Sequence, residues 1–233
     1  AKIYYFCAMR FLTADYLFPL YIAPLKEGVL QISDDGKVIA IFKNRNEVTQ
    51  DKLEIFEGIL CPGFVNAHCH LELSHLKGNA EKGKGFLEFA STIRKRDNFS
   101  VFKKQNAIEK AEQEMINNGI VAVGDICNTS DTIEQKQKKN LKYYNFIETF
   151  GVDVNKVYVV FNKAIELRNK FRAADQKASI VPHAPYSVPP GLMKKINNAF
   201  DDEDELLTVH MQETKEENQL FEKKEGAFFT WLN

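Results

Sequence analysis

The feature that most constrains the fold is a change of pattern at Gly58. From this residue onward, short apolar runs alternate with longer charged segments of helical period, which is typical of βα units with parallel strands. Five strands are predicted, at residues 58–65, 120–127, 141–149, 179–182 and 206–211. The predicted helices lie at residues 85–96, 102–118, 155–172, 190–200 and 214–229, and the polar stretch 129–140 forms either a shorter helix or a loop.

Five βα units fit two architectures, an open doubly wound sheet or the first part of a (β/α)8 barrel. A doubly wound sheet that binds nucleotides usually carries a glycine-rich phosphate motif after a strand. Neither G-x-G-x-x-G nor G-x-x-x-x-G-K-[ST] follows any predicted strand of this chain. The pattern therefore favours an α/β fold of the TIM-barrel type, with about five of its units in this sequence.

The first 60 residues follow another pattern, with short β segments predicted at residues 3–6, 28–32 and 38–42. The tetrapeptide DDGK at residues 34–37 separates the last two segments, and Asp and Gly tolerate the left-handed geometry of hairpin turns. We therefore predict two domains, a small N-terminal β domain over residues 1–60 and a βα domain over residues 61–233.

The 233-residue chain has a formal net charge of −1, and acidic and basic residues are spread along it. This balance gives no broad electrostatic surface for nucleic acid or an anionic membrane, so we expect a small-molecule partner. The sequence has no apolar run near the ~18 residues of a membrane span, and its N-terminal segment lacks a signal-peptide pattern. The expected location is the cytoplasm.

His68 and His70 follow the first predicted strand of the βα domain. Two residues apart on a strand, their imidazoles leave on one face and can reach one Zn²⁺ or Fe²⁺ ion. A bare pair of this kind is more often structural, but the apolar run before it favours a site. Cys69 lies between them and points to the opposite face, so we expect it, like the other three scattered cysteines, to be a reduced thiol.

His210 ends the last predicted strand, and Glu213 follows three residues later. The pair is suited to a metal ligand with an adjacent proton shuttle. The alternative is a locally bonded histidine with a first-turn helix carboxylate. His183 lies between two prolines that stiffen a strand exit, where it either binds a substrate oxygen or ring nitrogen or is satisfied by backbone groups.

Three residues after the histidine pair are less informative. Glu72 and Ser74 are candidates for the pocket mouth, with Glu72 as a substrate contact, although a structural role is equally consistent with their positions. His75 lies past the strand end, which makes a metal role unfavourable. Asp125 ends the second predicted strand and is left unassigned.

Three motifs resemble the amidohydrolase superfamily in order and approximate spacing. They are PGFVNAHCHLELS at residues 62–74, VPHAPYS at 181–187 and VHMQET at 209–214. Within the superfamily they are similar to the aminohydrolase and chlorohydrolase branch, which includes S-adenosylhomocysteine, guanine and aminofutalosine deaminases. The LELS continuation is most similar to the aminofutalosine deaminase group.

The resemblance implies a site with assigned roles. His68, His70 and His210 bind one divalent metal ion, with zinc as the first choice and iron as the second; Glu213 shuttles protons and His183 contacts the substrate. It also implies an amidohydrolase-type TIM barrel with an N-terminal β-sandwich domain. The implied activity is deamination of a purine nucleoside or related heterocycle, aminofutalosine-like or S-adenosylhomocysteine-like, by metal-bound hydroxide.

The end of the sequence departs from the family pattern. Members complete the site with a histidine after the sixth strand and an aspartate after the eighth, whereas this sequence stops at Asn233 after the fifth unit. We therefore expect a family member without its C-terminal part, whose open strand edge could associate as a homodimer. The alternatives are a chlorohydrolase or amide-type hydrolase, or a non-catalytic binding protein if the chain truly ends there.

Overall fold

The computed structural model describes residues 9–79, 81–93, 98–200 and 205–232. The chain divides into two compact units, Ala1–Gly63 and Phe64–Asn233, whereas the predicted domain boundary lies three residues earlier. The strand predicted at residues 3–6 lies outside the described residues, as does the end of the first predicted helix at residues 94–96.

The first unit contains two small sheets. One has the strands β1 (Arg10–Thr13), β4 (Val29–Ile32), β5 (Val38–Phe42) and β6 (Leu53–Ile55) in the order β5-β4-β1-β6, and the other has β2 (Tyr16–Leu17), β3 (Leu25–Lys26) and β7 (Ile59–Leu60) in the order β3-β2-β7. The predicted hairpin is present between β4 and β5. Gly36 at its turn has a φ of +78°, which glycine adopts without the steric cost of a Cβ.

The second unit contains one parallel sheet. Its strands are β8 (Phe64–Cys69), β9 (Ile120–Cys127), β10 (Lys142–Thr149) and β11 (Lys177–Pro182), in the order β11-β10-β9-β8. Every neighbouring pair of these strands is parallel. The predicted βα rhythm is thus confirmed for these four strands.

Helices connect the strands of this sheet. They are α1 (Phe86–Ile93), α2 (Val101–Asn117), α3 (Ile133–Gln137), α4 (Val157–Ala173), α5 (Pro190–Asn197), α6 (Lys215–Lys223) and α7 (Ala227–Leu232), with short 3₁₀ turns at Leu71–Leu76 and Val154–Lys156. The Ser100 side chain accepts a hydrogen bond from the Lys103 N–H and so caps α2. Within the described ranges, none of the helices has the length and apolarity needed to cross a membrane.

Three predicted elements are corrected by the structure. Residues 58–65 do not form one strand, because Ile59 and Leu60 pair with β2 and β8 begins only at Phe64. Residues 206–211 form no strand, since among the described residues one backbone hydrogen bond joins this segment to the end of β11, from the His210 N–H to the His183 carbonyl. The helix predicted at residues 214–229 is divided into α6 and α7 at Lys224, whose φ is +55°.

The parallel sheet has two different faces because side chains alternate along each strand. On one face Cys127, Ile147 and Ile180 pack in a buried cluster with Phe171 of α4 and Leu192 of α5. On the other face Ile126, Phe146 and Val181 form a smaller cluster. The polar residues discussed next continue this second face beyond the carboxyl ends of the strands.

Candidate metal centre

Three imidazoles converge at the carboxyl end of the sheet. The Nε2 atoms of His68 and His70 are 3.2 Å apart, and the ring centres of His68 and His210 are 4.7 Å apart. One nitrogen from each of the three rings lies within 4.8 Å of the others. The structure therefore brings together the three residues predicted as metal ligands.

A close approach of two strands places His68. The register of β8 against β9 shifts between Asn66 and Cys69, which marks a local bulge. A Cβ added at Gly124 of β9 would lie 2.6 Å from the Ala67 carbonyl oxygen. Only glycine permits this approach without a shift of the backbone.

The chemistry of the three rings fits a divalent transition metal. Burial lowers the pKa of His68 and of His70, which favours the neutral imidazole that binds metals. Three nitrogen donors are a set that zinc commonly accepts, and iron also binds imidazole. The buried Nδ1 of His70 has no hydrogen-bond partner in the described part of the chain.

Cys69 is not part of the ligand cluster, which contains only imidazole nitrogens. Burial, with a contribution from the nearby Asp125 charge, raises the pKa of the Cys69 thiol to about 12. The thiol is therefore protonated at neutral pH, a form that binds metals poorly. Cys61, Cys69 and Cys127 are all free thiols, as predicted, whereas Cys7 lies outside the described residues.

Glu213 is positioned by the start of α6. The Thr214 hydroxyl accepts a hydrogen bond from the Glu217 N–H, and the Glu217 carboxylate accepts one from the Glu213 N–H at 2.9 Å, an arrangement related to a capping box. Glu213 Oε2 lies 3.8 Å from His210 Nδ1. The Tyr186 hydroxyl donates to Glu213 Oε1, so the predicted shuttle lies beside the predicted ligand.

His183 extends the β10–β11 ladder, because its backbone N–H donates to the Thr149 carbonyl at 2.9 Å. Its ring Nδ1 lies 2.7 Å from the Ser187 hydroxyl, which donates to the Ala184 carbonyl. Ser187 then accepts the His183 Nδ1 proton, and Nε2 is left as an acceptor when the ring is neutral. Burial lowers the pKa of His183 and favours that neutral form.

Glu72, Ser74 and His75 are not members of the three-imidazole cluster. The buried Glu72 carboxylate accepts hydrogen bonds from the backbone N–H groups of Asn128 and Thr129, at 3.0 and 2.8 Å. The Ser74 hydroxyl donates to the Leu71 carbonyl, and His75 Nδ1 contacts the Glu72 carbonyl. Glu72 thus holds the turn after β9, and its predicted contact with substrate stays a prediction.

Glu148 belongs to the site and was missed in the sequence. Its Oε1 lies 3.6 Å from His210 Nε2, and its Oε2 accepts a hydrogen bond from the Asn128 side chain at 3.0 Å. Burial raises the pKa of the Glu148 carboxyl, but His210 and His183 outweigh burial and the pKa lies below its ordinary value. A glutamate directly after the apolar residues Phe146 and Ile147 of a predicted strand was the available signal.

A cavity of about 770 Å³ adjoins the cluster, within the range typical of small-molecule sites. Its polar lining consists of His70, Asn128, Glu148, His183, Tyr186, Ser187, His210 and Glu213. Its apolar lining includes Leu73, Leu76, Phe86, Phe89, Ile93 and Trp231. The cavity therefore has a reactive polar end and an apolar wall.

Comparisons with known proteins agree on one family. A model described as the amidohydrolase family matches residues 59–231. The chain is 27% identical over 173 residues to the aminodeoxyfutalosine deaminase of a Nitratiruptor species, a match that covers 73% of this chain and 43% of that protein. The chain therefore spans less than half the length of this relative.

Two solved structures share the fold. Helicobacter pylori aminofutalosine deaminase, in complex with methylthio-coformycin, matches with a TM-score of 0.79 and 25% identity over 95% of this chain and 55% of that one. An adenosine deaminase from Xanthomonas campestris with bound zinc matches with a TM-score of 0.67 and 16% identity, over 95% and 54% of the two chains.

Proposed function

Because the chain belongs to the amidohydrolase family, we propose that it contributes the metal-binding half-site of an aminohydrolase that deaminates a purine nucleoside or related heterocycle. The observation that carries this proposal is the convergence of His68, His70 and His210 beside a cavity that Glu213 and His183 line. The proposed ligand set, proton carrier and substrate contact would then lie at one end of one sheet.

The three imidazoles would hold one divalent ion, with zinc preferred. Bound zinc supplies Lewis-acid activation of water and lowers its pKa toward ~7, so that hydroxide is available at neutral pH. The imidazoles themselves add no negative charge, which leaves the positive charge of the ion largely uncompensated by them. We propose the same ligands for iron as the second choice.

Glu213 is proposed to carry protons at Oε2, the oxygen nearest to His210. The Tyr186 hydroxyl donates to the other oxygen and so orients the carboxylate. Glu213 Oε2 would take the proton released by the attacking water, deliver it to a ring nitrogen and then assist the departure of ammonia. General acid–base steps of this kind typically contribute ~10²–10⁴-fold in rate.

His183 is proposed to orient the heterocycle. Its Nδ1 is occupied by Ser187, and its ring contacts Phe150 and Tyr186 at centroid distances of 5.8 and 5.7 Å. The ring is therefore held from several sides, and its Nε2 can accept a hydrogen bond from a substrate donor. A fixed substrate pose lowers the barrier by removing orientational freedom.

The apolar wall of the cavity would favour nucleosides that carry an apolar substituent. Phe86 and Phe89 of α1 face the same cavity as Trp231 of α7, and a small apolar substituent there would gain ~0.8 kcal/mol per buried methylene. We expect 5′-deoxyadenosine or 5′-methylthioadenosine to be used with higher kcat/KM than adenosine. An aminofutalosine-like or S-adenosylhomocysteine-like substrate is the larger alternative.

The finer architecture is also proposed. Residues 64–232 would supply the first strands of a (β/α)8 barrel, and residues 1–60 would form part of a β-sandwich domain. The small-molecule substrate agrees with the cavity, whereas the absence of nucleic-acid partners, the homodimer and the cytoplasmic location stay predictions.

The test is ammonia release by the zinc-loaded full-length protein from adenosine, 5′-deoxyadenosine, 5′-methylthioadenosine, S-adenosylhomocysteine, aminofutalosine and guanine. We expect release from at least one of the nucleosides. Glu213→Gln should lower kcat by ~10²–10⁴-fold and leave zinc content unchanged. Glu222→Gln, on the exposed side of α6, is the matched control and should retain full activity.

Two outcomes would contradict the proposal. Zinc-loaded protein that releases no ammonia from any of these compounds is not an aminohydrolase of this class, and chloride release from a chlorinated heterocycle would instead favour the chlorohydrolase alternative. Full activity of the Glu213→Gln variant would remove the assigned proton carrier.

A further inference from the structure

Glu148 is a buried carboxylate for which the proposed reaction has no role. It is the seventh residue of β10 (Lys142–Thr149), and its side chain is only 5% exposed. It lines the cavity beside His183 and His210. Burial of a carboxylate charge at such a place is unfavourable unless a cation or several hydrogen bonds compensate it.

The partners of the Glu148 carboxylate are an imidazole and an amide. Among the residues that the structure describes, the ion-pair contact of Glu148 is with His210, and no lysine or arginine approaches its carboxylate. The hydrogen bond to Oε2 comes from the neutral amide of Asn128. The carboxylate is therefore held between a proposed metal ligand at Oε1 and a neutral amide at Oε2.

The orientation of the carboxylate is set by a chain of contacts. Glu72 holds the backbone of Asn128, and the Asn128 amide holds Glu148 Oε2 at 3.0 Å. This arrangement leaves Oε1 facing His210 Nε2 at 3.6 Å. Atoms that bind one tetrahedral zinc ion at ~2.1 Å lie ~3.4 Å apart, so the observed spacing is close to that of two neighbouring ligands.

A third donor completes the arrangement. One ligand atom from each of Glu148, His183 and His210 lies within 4.8 Å of the others. Carboxylate and imidazole, the donor types of Glu148 and His210, are both ligands that zinc and Fe²⁺ accept. This group shares His210 with the cluster of His68 and His70.

We propose that Glu148 is a carboxylate ligand of the metal centre and binds the ion of His210 through Oε1. The ion would add a permanent positive charge beside the buried carboxylate, and the carboxylate would strengthen binding of the ion. The inference rests on the metal centre of the proposed function, and it is independent of which substrate is deaminated.

The test is metal affinity in the full-length protein, measured as the Kd for Zn²⁺ in competition with a chromophoric chelator. Glu148→Gln keeps the shape of the side chain and removes its charge, and it should raise the Kd at least ~10-fold. With Co²⁺ in place of Zn²⁺, the visible absorption spectrum should change as well. Glu148→Asp keeps the carboxylate but shortens it, and it should shift the Co²⁺ spectrum with a smaller rise in Kd.

Glu213→Gln is the matched control, because Glu213 faces the other nitrogen of His210. It should lower kcat for ammonia release by ~10²–10⁴-fold without a change in Kd. If Glu148→Gln binds Zn²⁺ within twofold of the parent and the Co²⁺ spectrum is the same, the proposal is overturned. If Glu148→Gln does not fold, an unchanged Co²⁺ spectrum in Glu148→Asp overturns it. A parent protein that binds no metal would instead contradict the proposed function itself.

Discussion

Strands β9 and β10 carry one buried carboxylate on each face of the parallel sheet. Asp125 points toward α3, where the Lys136 ammonium pairs with it and also donates to the Asn145 side chain. Glu148 points into the cavity, where an imidazole is its ion-pair partner. Both side chains are about equally buried, and they differ in the kind of cation beside them.

On the Asp125 face, a lysine neutralises the buried carboxylate. Lys136 contacts Asp125, Asn145 and the Cys127 sulfur, which accounts for all three of its protons. Burial alone lowers the pKa of Lys136, but the Asp125 charge outweighs it and the pKa lies above its ordinary value. Asp125 also accepts the Leu71 N–H at 2.8 Å and so anchors the residue that follows His70.

On the Glu148 face, the partner of the buried carboxylate is the His210 imidazole, which is charged only when it is protonated. The ion pair of Asp125 and Lys136 is permanent and stabilises the sheet. A carboxylate beside neutral imidazoles can instead bind an external cation or a substrate. The difference indicates which buried charges of this fold are structural and which are available for chemistry.

The largest expected effect on stability comes from breaking the ion pair of Asp125 and Lys136. Lys136→Met leaves Asp125 buried without a cation and should lower the free energy of unfolding by about 3–5 kcal/mol, measured by urea denaturation. A group with a raised folded pKa contributes stability that is present below its unfolded pKa, ~10.4 for lysine, and is lost at higher pH. The penalty should therefore be constant from pH 6 to 9. A loss below 1 kcal/mol would show that the pair is dispensable.

A smaller effect on stability is expected at Glu72, which holds the turn that carries Asn128, the partner of Glu148. Glu72→Gln keeps the shape of the side chain but removes the charge that Asn128 and Thr129 bond to. We expect a loss of about 1–2 kcal/mol in unfolding free energy, together with a higher KM because Asn128 lines the cavity. An unchanged denaturation midpoint and KM would mean that the turn holds its position without Glu72.

The smallest effect on stability is expected at an exposed ion pair, which serves as the control for the buried residues of both faces. Lys138 lies two residues from Lys136 and pairs with Glu109 at 3.2 Å, but both side chains are more than half exposed, at 51% and 62%. Lys138→Met should change the unfolding free energy by less than about 1 kcal/mol, and the change should diminish further in high salt. A loss as large as that of Lys136→Met would contradict the assignment of the Lys136 effect to burial.

Much of the fold could be predicted where the local sequence pattern alone defines a strand or a helix. Strand β9 has the predicted bounds, and α2 begins and ends one residue earlier than predicted. The strand predicted at residues 206–211 failed for a physical reason, since a strand is defined by its partner and only one backbone bond ties this segment to the sheet. The split at Lys224 reflects a single left-handed residue, which local pattern does not reveal in a lysine.

The candidate site divides in the same way. His68, His70, His183, His210 and Glu213 were predictable because each occurs at or just past the end of a predicted strand. Glu148 was not, because a lone glutamate near a strand end belongs to no recognisable motif and becomes meaningful only when His210 lies 3.6 Å away. The separation between these two residues in the sequence carries no signal of that contact.

By itself, the sequence determined the alternation of strands and helices and the face on which each strand residue lies, because both follow from local periodicity. Only the tertiary structure decided which buried carboxylate meets a lysine and which meets imidazoles. Asp125 meets Lys136 because α3 packs on one face of the sheet, and Glu148 meets His210 because the 205–211 segment runs along β11. Those pairings depend on packing between distant segments, since the energy of a buried charge is set by its neighbours in space.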